Sequence, residues 1–220
     1  MNNLFSIFDP ITITNMPLNW ISMITLMLFV PKPLFFESNR FMMLMNKILY
    51  SLNNEFNSIL KKNKFIIMPI LIFLIIMINN LMSMPPYIFT CTSHLQLNIL
   101  LSLPTWLSIM ILGWMYNTNL MFSHLVPNNT PIYLMNFMVI IETISNLIRP
   151  LTLTVRLTAN LIAGHLLLSL LSSMKFNLSY KSIPMLILIQ TILIMLELSV
   201  AVIQAYVFSL LICLYYLDVN

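Results

Sequence analysis

Long runs without charge dominate the chain after residue 64. Residues 65–84 and 95–116 contain no Asp, Glu, Lys or Arg. At 1.5 Å per residue each can cross a hydrocarbon core of about 30 Å. Pro85-Pro86 ends the first run, and Pro104 predicts a kink or a split in the second. Residues 132–171 and 183–217 are apolar for much longer and predict helices of about 60 Å and about 52 Å. Either each is a broken pair of crossings, or both lie steeply tilted in the membrane. Pro150 can bend the first, but no turn composition divides it. The pattern therefore predicts two long tilted helices forming a hairpin through 172–182.

The first sixty residues read differently. "PLNWISMITLMLFV", residues 17–30, is a short apolar segment with Trp20 as an interfacial anchor. With the preceding residues it predicts a first crossing over about 15–30. Most of the charge follows in 31–64: Lys32, Arg40, Lys47, Lys61, Lys62 and Lys64 against Glu37 and Glu55. Phe41, Met45, Ile48, Leu52, Phe56 and Ile59 recur there at helical steps, predicting a basic amphipathic helix over about 40–62 on the membrane surface. The alternative is a loop helix packed on a partner subunit. By the positive-inside rule this segment faces the matrix or cytoplasm, which puts the N-terminus and the 85–94 loop outside and 117–131 inside. Lys175 and Lys181 would then lie outside, against the rule.

Composition agrees with the pattern. The 220 residues are 60% hydrophobic and 7% charged, with a mean hydropathy of +0.93, whereas soluble domains carry roughly 25% charge. No period-2 alternation recurs, so helices are the expected spanning element. The expected fold is all-α. It is a single polytopic membrane domain with an N-terminal transmembrane helix, an amphipathic surface helix, two transmembrane helices and a long, strongly tilted two-helix hairpin. Cys91 and Cys213 lack metal-type spacing and read as small hydrophobes. Abundant Met, Leu, Ile, Asn and Phe suggest AT-biased coding in an organelle. No Lys or Arg precedes Lys32, so no targeting sequence is expected and the chain is expected to be made where it works.

The few charges inside the long segments occupy narrow stripes. Glu142, Arg149 and Arg156 stand seven residues apart, a step that drifts only about 20° around a helix. Asn146 and Asn160 extend that stripe. Gln190, Glu197 and Gln204 repeat the spacing on the last segment, with Asp218 on its continuation. Ordinary explanations exist for several of these. Arg149 can reach a headgroup or pair with Glu142, and Gln190 and the asparagines suit interhelical hydrogen bonding. His94 and His124 fall in expected loops and read as interfacial residues. Glu197 is harder to dismiss. Arg156 is hardest, since a guanidinium cannot shed its proton.

His165 lies half a turn around the helix from Arg156 and faces something different. A carboxyl and an imidazole at membrane depth exchange protons near neutral pH. Placed on opposite aqueous sides, such groups make two half-paths, and a permanent cation between them stops protons leaking straight through. The counter-ion of Arg156 would then belong to another, moving subunit.

Here the residues reach a resemblance. "ETISNLIRPLTLTVRLTANLIAGHLLLSLL" and "LELSVAVIQAYVFSLL" are similar to the subunit a (subunit 6, A chain) family of F-type ATP synthases, in its mitochondrial form. "SIFDP", "SLNNEF", "PYIFTCTSHL" and "HLVPNNTP" extend the likeness over essentially the whole chain. The resemblance implies that Arg156 is the essential stator arginine, Asn160 its polar neighbour and Gln204 the glutamine facing it. It implies that His165 and Glu197 serve the proton-entry half-channel from the intermembrane space. Bacterial relatives interchange the acid and the imidazole at these two places. Glu142 matches an acid of the matrix half-channel, while Asp218 and Arg149 are weaker assignments.

The implied partners are a ring of c subunits, whose carboxyl is the moving counter-ion, together with peripheral-stalk subunit b, other membrane-sector subunits, the lipid bilayer and protons. The implied location is the mitochondrial inner membrane, multi-pass. No cofactor, metal or nucleic acid is expected. With only Gly113 and Gly164 there is no glycine-rich phosphate loop, so ATP formation would belong to partner subunits. A non-conducting anchor subunit of a respiratory complex is the main rival. A secondary transporter would need paired repeats that the chain lacks.

Overall fold

The computed structural model describes residues 4–11, 16–23, 40–60, 64–85, 88–126, 131–174 and 182–219. These form six α-helices: α1 (Arg40–Leu60), α2 (Ile67–Ser83), α3 (Leu95–Tyr116), α4 (Thr118–His124), α5 (Ile132–Met174) and α6 (Ile183–Val219). Short 3-10 turns at Leu4–Phe8, Leu18–Trp20, Lys64–Ile66 and Cys91–Ser93 accompany them, and no strand occurs among the described residues. Most of the expected first crossing (residue 15 and 24–30), Lys32 and Glu37, Lys61 and Lys62, and Lys175 and Lys181 lie outside the described residues.

Three described helices, α3, α5 and α6, are long and apolar enough to cross a membrane, so the protein is an all-α polytopic membrane protein. α2 has 17 residues, about 26 Å, which is short for a 30-Å core. The preceding 3-10 turn Lys64–Ile66 adds about 6 Å and closes that gap. The 43 residues of α5 and 37 of α6 give helices of about 65 Å and about 56 Å. A bilayer core accommodates such lengths only at a steep tilt. Neither Pro104 nor Pro150 splits its helix: α3 and α5 each run through the proline unbroken.

α6 is the hub. It packs along α2 and also meets α1, α3 and α5, while α3 runs beside α5. Ala201, Ala205 and Ser209 recur every four residues on its buried side, and small residues at that spacing let helix backbones approach closely. Phe208 and Ile212 fill the space beside them, against Ile72, Phe73 and Ile76 of α2 and Leu153 and Leu157 of α5 in one cluster.

α1 differs from the surface-helix expectation in one respect. Leu52, Phe56 and Leu60 are buried in the same cluster, so the C-terminal half of its apolar face covers α2 and α6 of its own chain. The N-terminal half leaves Met43 and Leu44 exposed. Tyr206 of α6 donates a hydrogen bond to Glu55 Oε2 at 3.2 Å and pins this arrangement.

α4 falls inside the segment expected to be a loop. Asn117, at φ −129° and ψ 53°, breaks the path of α3, and its carbonyl accepts the Met121 N–H to start the new helix. The reversal brings α4 and the end of α6 against Gly113. A Cβ there would stand 2.5 Å from Val219 Cγ1 and 3.0 Å from Met121 Sδ, so any larger residue would force these side chains to shift.

Phe208→Ala should lower stability by about 3–5 kcal/mol through the cavity it leaves. Ile203→Ala, on the exposed side of the same helix, should change it by less than about 0.5 kcal/mol. Thermal unfolding of the two variants in detergent checks the difference, and equal effects would contradict the packing.

Candidate functional site: two polar clefts flanking an exposed arginine

On α5, Leu153, Leu157, Leu161 and Gly164 form a buried line toward α3 and α6. The register leaves Thr152, Val155, Arg156, Ala159, Asn160 and Ala163 on an exposed face. Arg156 therefore presents its guanidinium outward, with no ion pair among the described residues, and Asn160 stands one turn further on. Gln204 of α6 is buried directly behind it, and its Nε2 donates to the backbone carbonyl of Arg156 at 3.2 Å. That carbonyl has a second lone pair beyond its helical bond, so the glutamine fixes α6 against α5 at the arginine's own position. Gln204 Oε1 has no hydrogen-bond partner among the described residues.

Two turns further along α5, Gly164 meets Glu197. A Cβ at residue 164 would collide with Oε1 of Glu197 and lie 2.7 Å from its Cδ. The absence of a side chain lets the half-buried carboxyl lie flat on the α5 backbone. Neither carboxyl oxygen finds a hydrogen bond among the described residues. His165, the next residue, is half-buried, and its Nε2 is likewise without a partner.

Toward the start of α5 an open cleft of about 680 Å³ separates α5, α3 and the end of α6. Glu142, Asn146 and Arg149 line one wall, with Trp106 and Trp114 of α3 and Tyr215 of α6 opposite. Arg149 is held from two sides. Its Nη2 lies 3.8 Å from Glu142 Oε1, and its guanidinium carbon is 5.1 Å from the Tyr215 ring centre. The pairing reading of Arg149 is thus the one realised in the structure. Tyr215 had no signal in the sequence, because this contact joins residues on different helices.

A second cleft, of about 970 Å³, opens near the other end of the hairpin. His165 and Ser169 of α5 and Gln190 of α6 line its inner side. Its outer wall comes from the N-terminal segment, including Asp9 and Asn19, and from Ile88 and Phe89 before α3. Along α5, Arg156 lies about 21 Å from Glu142 and about 14 Å from His165. The exposed arginine falls between the two clefts.

His94 is not a simple loop residue. It precedes α3, and its ring centre lies 5.1 Å from that of Trp20 and 5.2 Å from that of Phe89. Cys91, beside this aromatic group, is buried, and its Sγ is 3.1 Å from Ser22 Oγ. Burial pushes its thiol above the ordinary range, with the Ser22 contact opposing, which leaves it a small inert group. Asp218 belongs to the last turn of α6 and His124 to the end of α4, but both side chains lie outside the described residues. Among the described residues no three His, Cys, Asp or Glu converge as a metal site would require.

Fold and site together define a class: a helical membrane protein whose long hairpin carries, between two polar clefts, an arginine with no ion pair among the described residues. Residues 11–217 match the sequence profile of the family described as ATP synthase A chain. The chain is similar to "ATP synthase subunit a" of Locusta migratoria, 50% identical with 98% of this chain and 97% of the relative covered. It is 48% identical to the proteins of the same name from Aedes aegypti and Drosophila melanogaster, over the full length of both partners in each case. The chain belongs to the ATP synthase A chain family.

Gly164→Ala should drive the Glu197 carboxyl off the α5 backbone, since the new methyl occupies its place. A structure of the variant checks this. A carboxyl still lying on residue 164 would contradict the assigned contact.

Proposed function

We propose that this protein is the proton-conducting stator subunit of the membrane sector of an F-type ATP synthase, in the mitochondrial inner membrane. The observation that carries the reading is Arg156, exposed on α5 with no ion pair among the described residues, standing between two polar clefts that approach it from opposite ends of the hairpin. Membership of the A chain family supports it.

Protons enter from the intermembrane space through the second cleft, the outer one, past His165, which lines it, and on to Glu197 against the neighbouring Gly164. They load onto a carboxyl of a rotating ring of c subunits lying against the exposed α5 face. Arg156 accepts that carboxyl in its ionised form as it passes, because opposite charges at close range favour ionisation. A protonated carboxyl gains nothing from the guanidinium, so it must travel the long way around the ring. After release the proton leaves by the inner cleft past Glu142, whose position Arg149 and Tyr215 hold. Arg156 also repels free protons between the clefts. Each proton gains about 2.3 kcal/mol per 100 mV of membrane potential, and a leak past Arg156 would dissipate it. Peripheral-stalk subunit b and other membrane-sector subunits hold the chain against the rotor, and ATP forms on partner subunits.

Arg156→Ala should abolish ATP-driven proton pumping in reconstituted vesicles while permitting passive proton leak. Coupled synthesis at the parent rate would overturn the assignment. Glu197→Gln separates conduction from anchoring. A conducting subunit loses most of its proton flux, whereas a non-conducting anchor retains it.

A further inference from the structure

"SIFDP", residues 6–10, contains a carboxylate that the proton path described above does not use. We infer that Asp9 is the proton-collecting group at the mouth of the outer cleft, and that the N-terminal segment is folded into this wall to hold it there. The inference rests on the reading of that cleft as the proton entry.

Six contacts hold the described part of the segment in place. The 3-10 turn Leu4–Phe8 packs against α5. The Asp9 N–H donates to the Ser6 carbonyl at 3.3 Å, and Asn19 Nδ2 donates to the Asp9 carbonyl at 3.2 Å. Beyond Asn19, Trp20 meets Phe89 edge to face at 5.7 Å and also packs on His94. Ser22 then touches Cys91. The backbone of Asp9 is thus tied at both ends to elements that border the cleft, while the residue itself stays exposed.

The charge inventory gives this position its meaning. The six acids are Asp9, Glu37, Glu55, Glu142, Glu197 and Asp218. Glu37 and Glu55 belong to the basic segment, Glu142 and Asp218 to the inner ends of the hairpin helices, and Glu197 to the interior. Among the described residues, Asp9 is the only acid that lines the cleft. Of the described residues lining it, only Asp9 and His165 are ionisable in type. Among the described residues the α6 wall offers Gln190 and Ile194 and the wall before α3 apolar residues, while His94, its ring 5.2 Å from that of Phe89, is not among the residues that line the cleft. The chain carries a formal charge of +4, so a single negative group at the mouth of a low-dielectric cleft sets the local sign and draws protons in. The step is an ordinary transfer. The Asp9 carboxylate takes a proton from hydronium or from the acid form of a mobile buffer, whose bond to that proton breaks to leave water or the buffer base. The new carboxyl O–H bond then breaks as the proton passes to cleft water, restoring the carboxylate, and the hydrated proton moves on to His165.

The test uses the assembled complex in vesicles, with proton-driven ATP synthesis measured against entry-side pH at fixed driving force and low buffer. Asp9→Asn should lose rate several-fold at alkaline pH, where protons are scarce, and keep the parent rate at acid pH. Raising the mobile buffer should restore the alkaline limb, and so should Asp9→Glu or the double variant Asp9→Asn with Ile7→Asp, which returns a carboxylate to the same wall. A pH profile that superimposes on the parent would overturn the inference. A uniform loss that neither buffer nor the relocated carboxylate restores would also overturn it, leaving a merely structural wall. Glu197→Gln is run in parallel. Retained flux there sinks the proton-entry reading itself, whereas loss at Glu197 with no effect at Asp9 sinks this inference alone.

Discussion

A guanidinium keeps its proton at any ordinary pH, and Arg156 presents one on a helix face that the described residues leave exposed. Holding that charge in an apolar setting is unfavourable unless an opposite charge reaches it. The rest of the hairpin is arranged around this constraint. The opposite side of α5 packs on α3 and α6, and Gln204 ties the two long helices together at the arginine's own backbone. Both contacts oppose rotation of α5 about its axis and so favour an outward-pointing charge.

The same register that exposes Arg156 places the other polar groups. Seven-residue steps toward the start of α5 carry Arg149 and Glu142 into the cleft between α5, α3 and α6. Nine residues in the other direction, half a turn around, His165 enters the second cleft. Gly164 then allows Glu197 to share that end of the site from α6. One helix thus distributes three environments along its length. The hub role of α6 keeps them fixed, because its Ala201, Ala205 and Ser209 line permits close approach and its Phe208 fills the core.

Much of this was legible in the sequence. Uncharged runs marked the apolar helices, since a charge inside them would be expensive. Seven-residue spacing put Arg156, Arg149 and Glu142 along one helix, and their local geometry needs no knowledge of the rest of the chain. What escaped is what joins distant segments. Tyr215 over Arg149 and Asp9 in the cleft of His165 depend on how helices pack, which periodicity along one helix does not encode. Gln204 beside Arg156 was implied by the family resemblance alone, and its bond to the Arg156 carbonyl by nothing in the sequence. The short helix α4 escaped because seven residues give too little pattern to outweigh loop-like composition. The burial of Leu52, Phe56 and Leu60 of α1 escaped because an apolar face looks alike whether it meets lipid or protein.

The central claim is that Arg156 divides two water-filled paths that open on opposite sides of the membrane. Labelling of single cysteines tests it most directly, in a background with Cys91→Ser and Cys213→Ser. Asn146→Cys lies in one cleft and Ser169→Cys in the other. A membrane-impermeant thiol reagent added on one side of sealed vesicles should modify only one of the two, and added on the other side only the other. Modification of both from the same side would contradict the account.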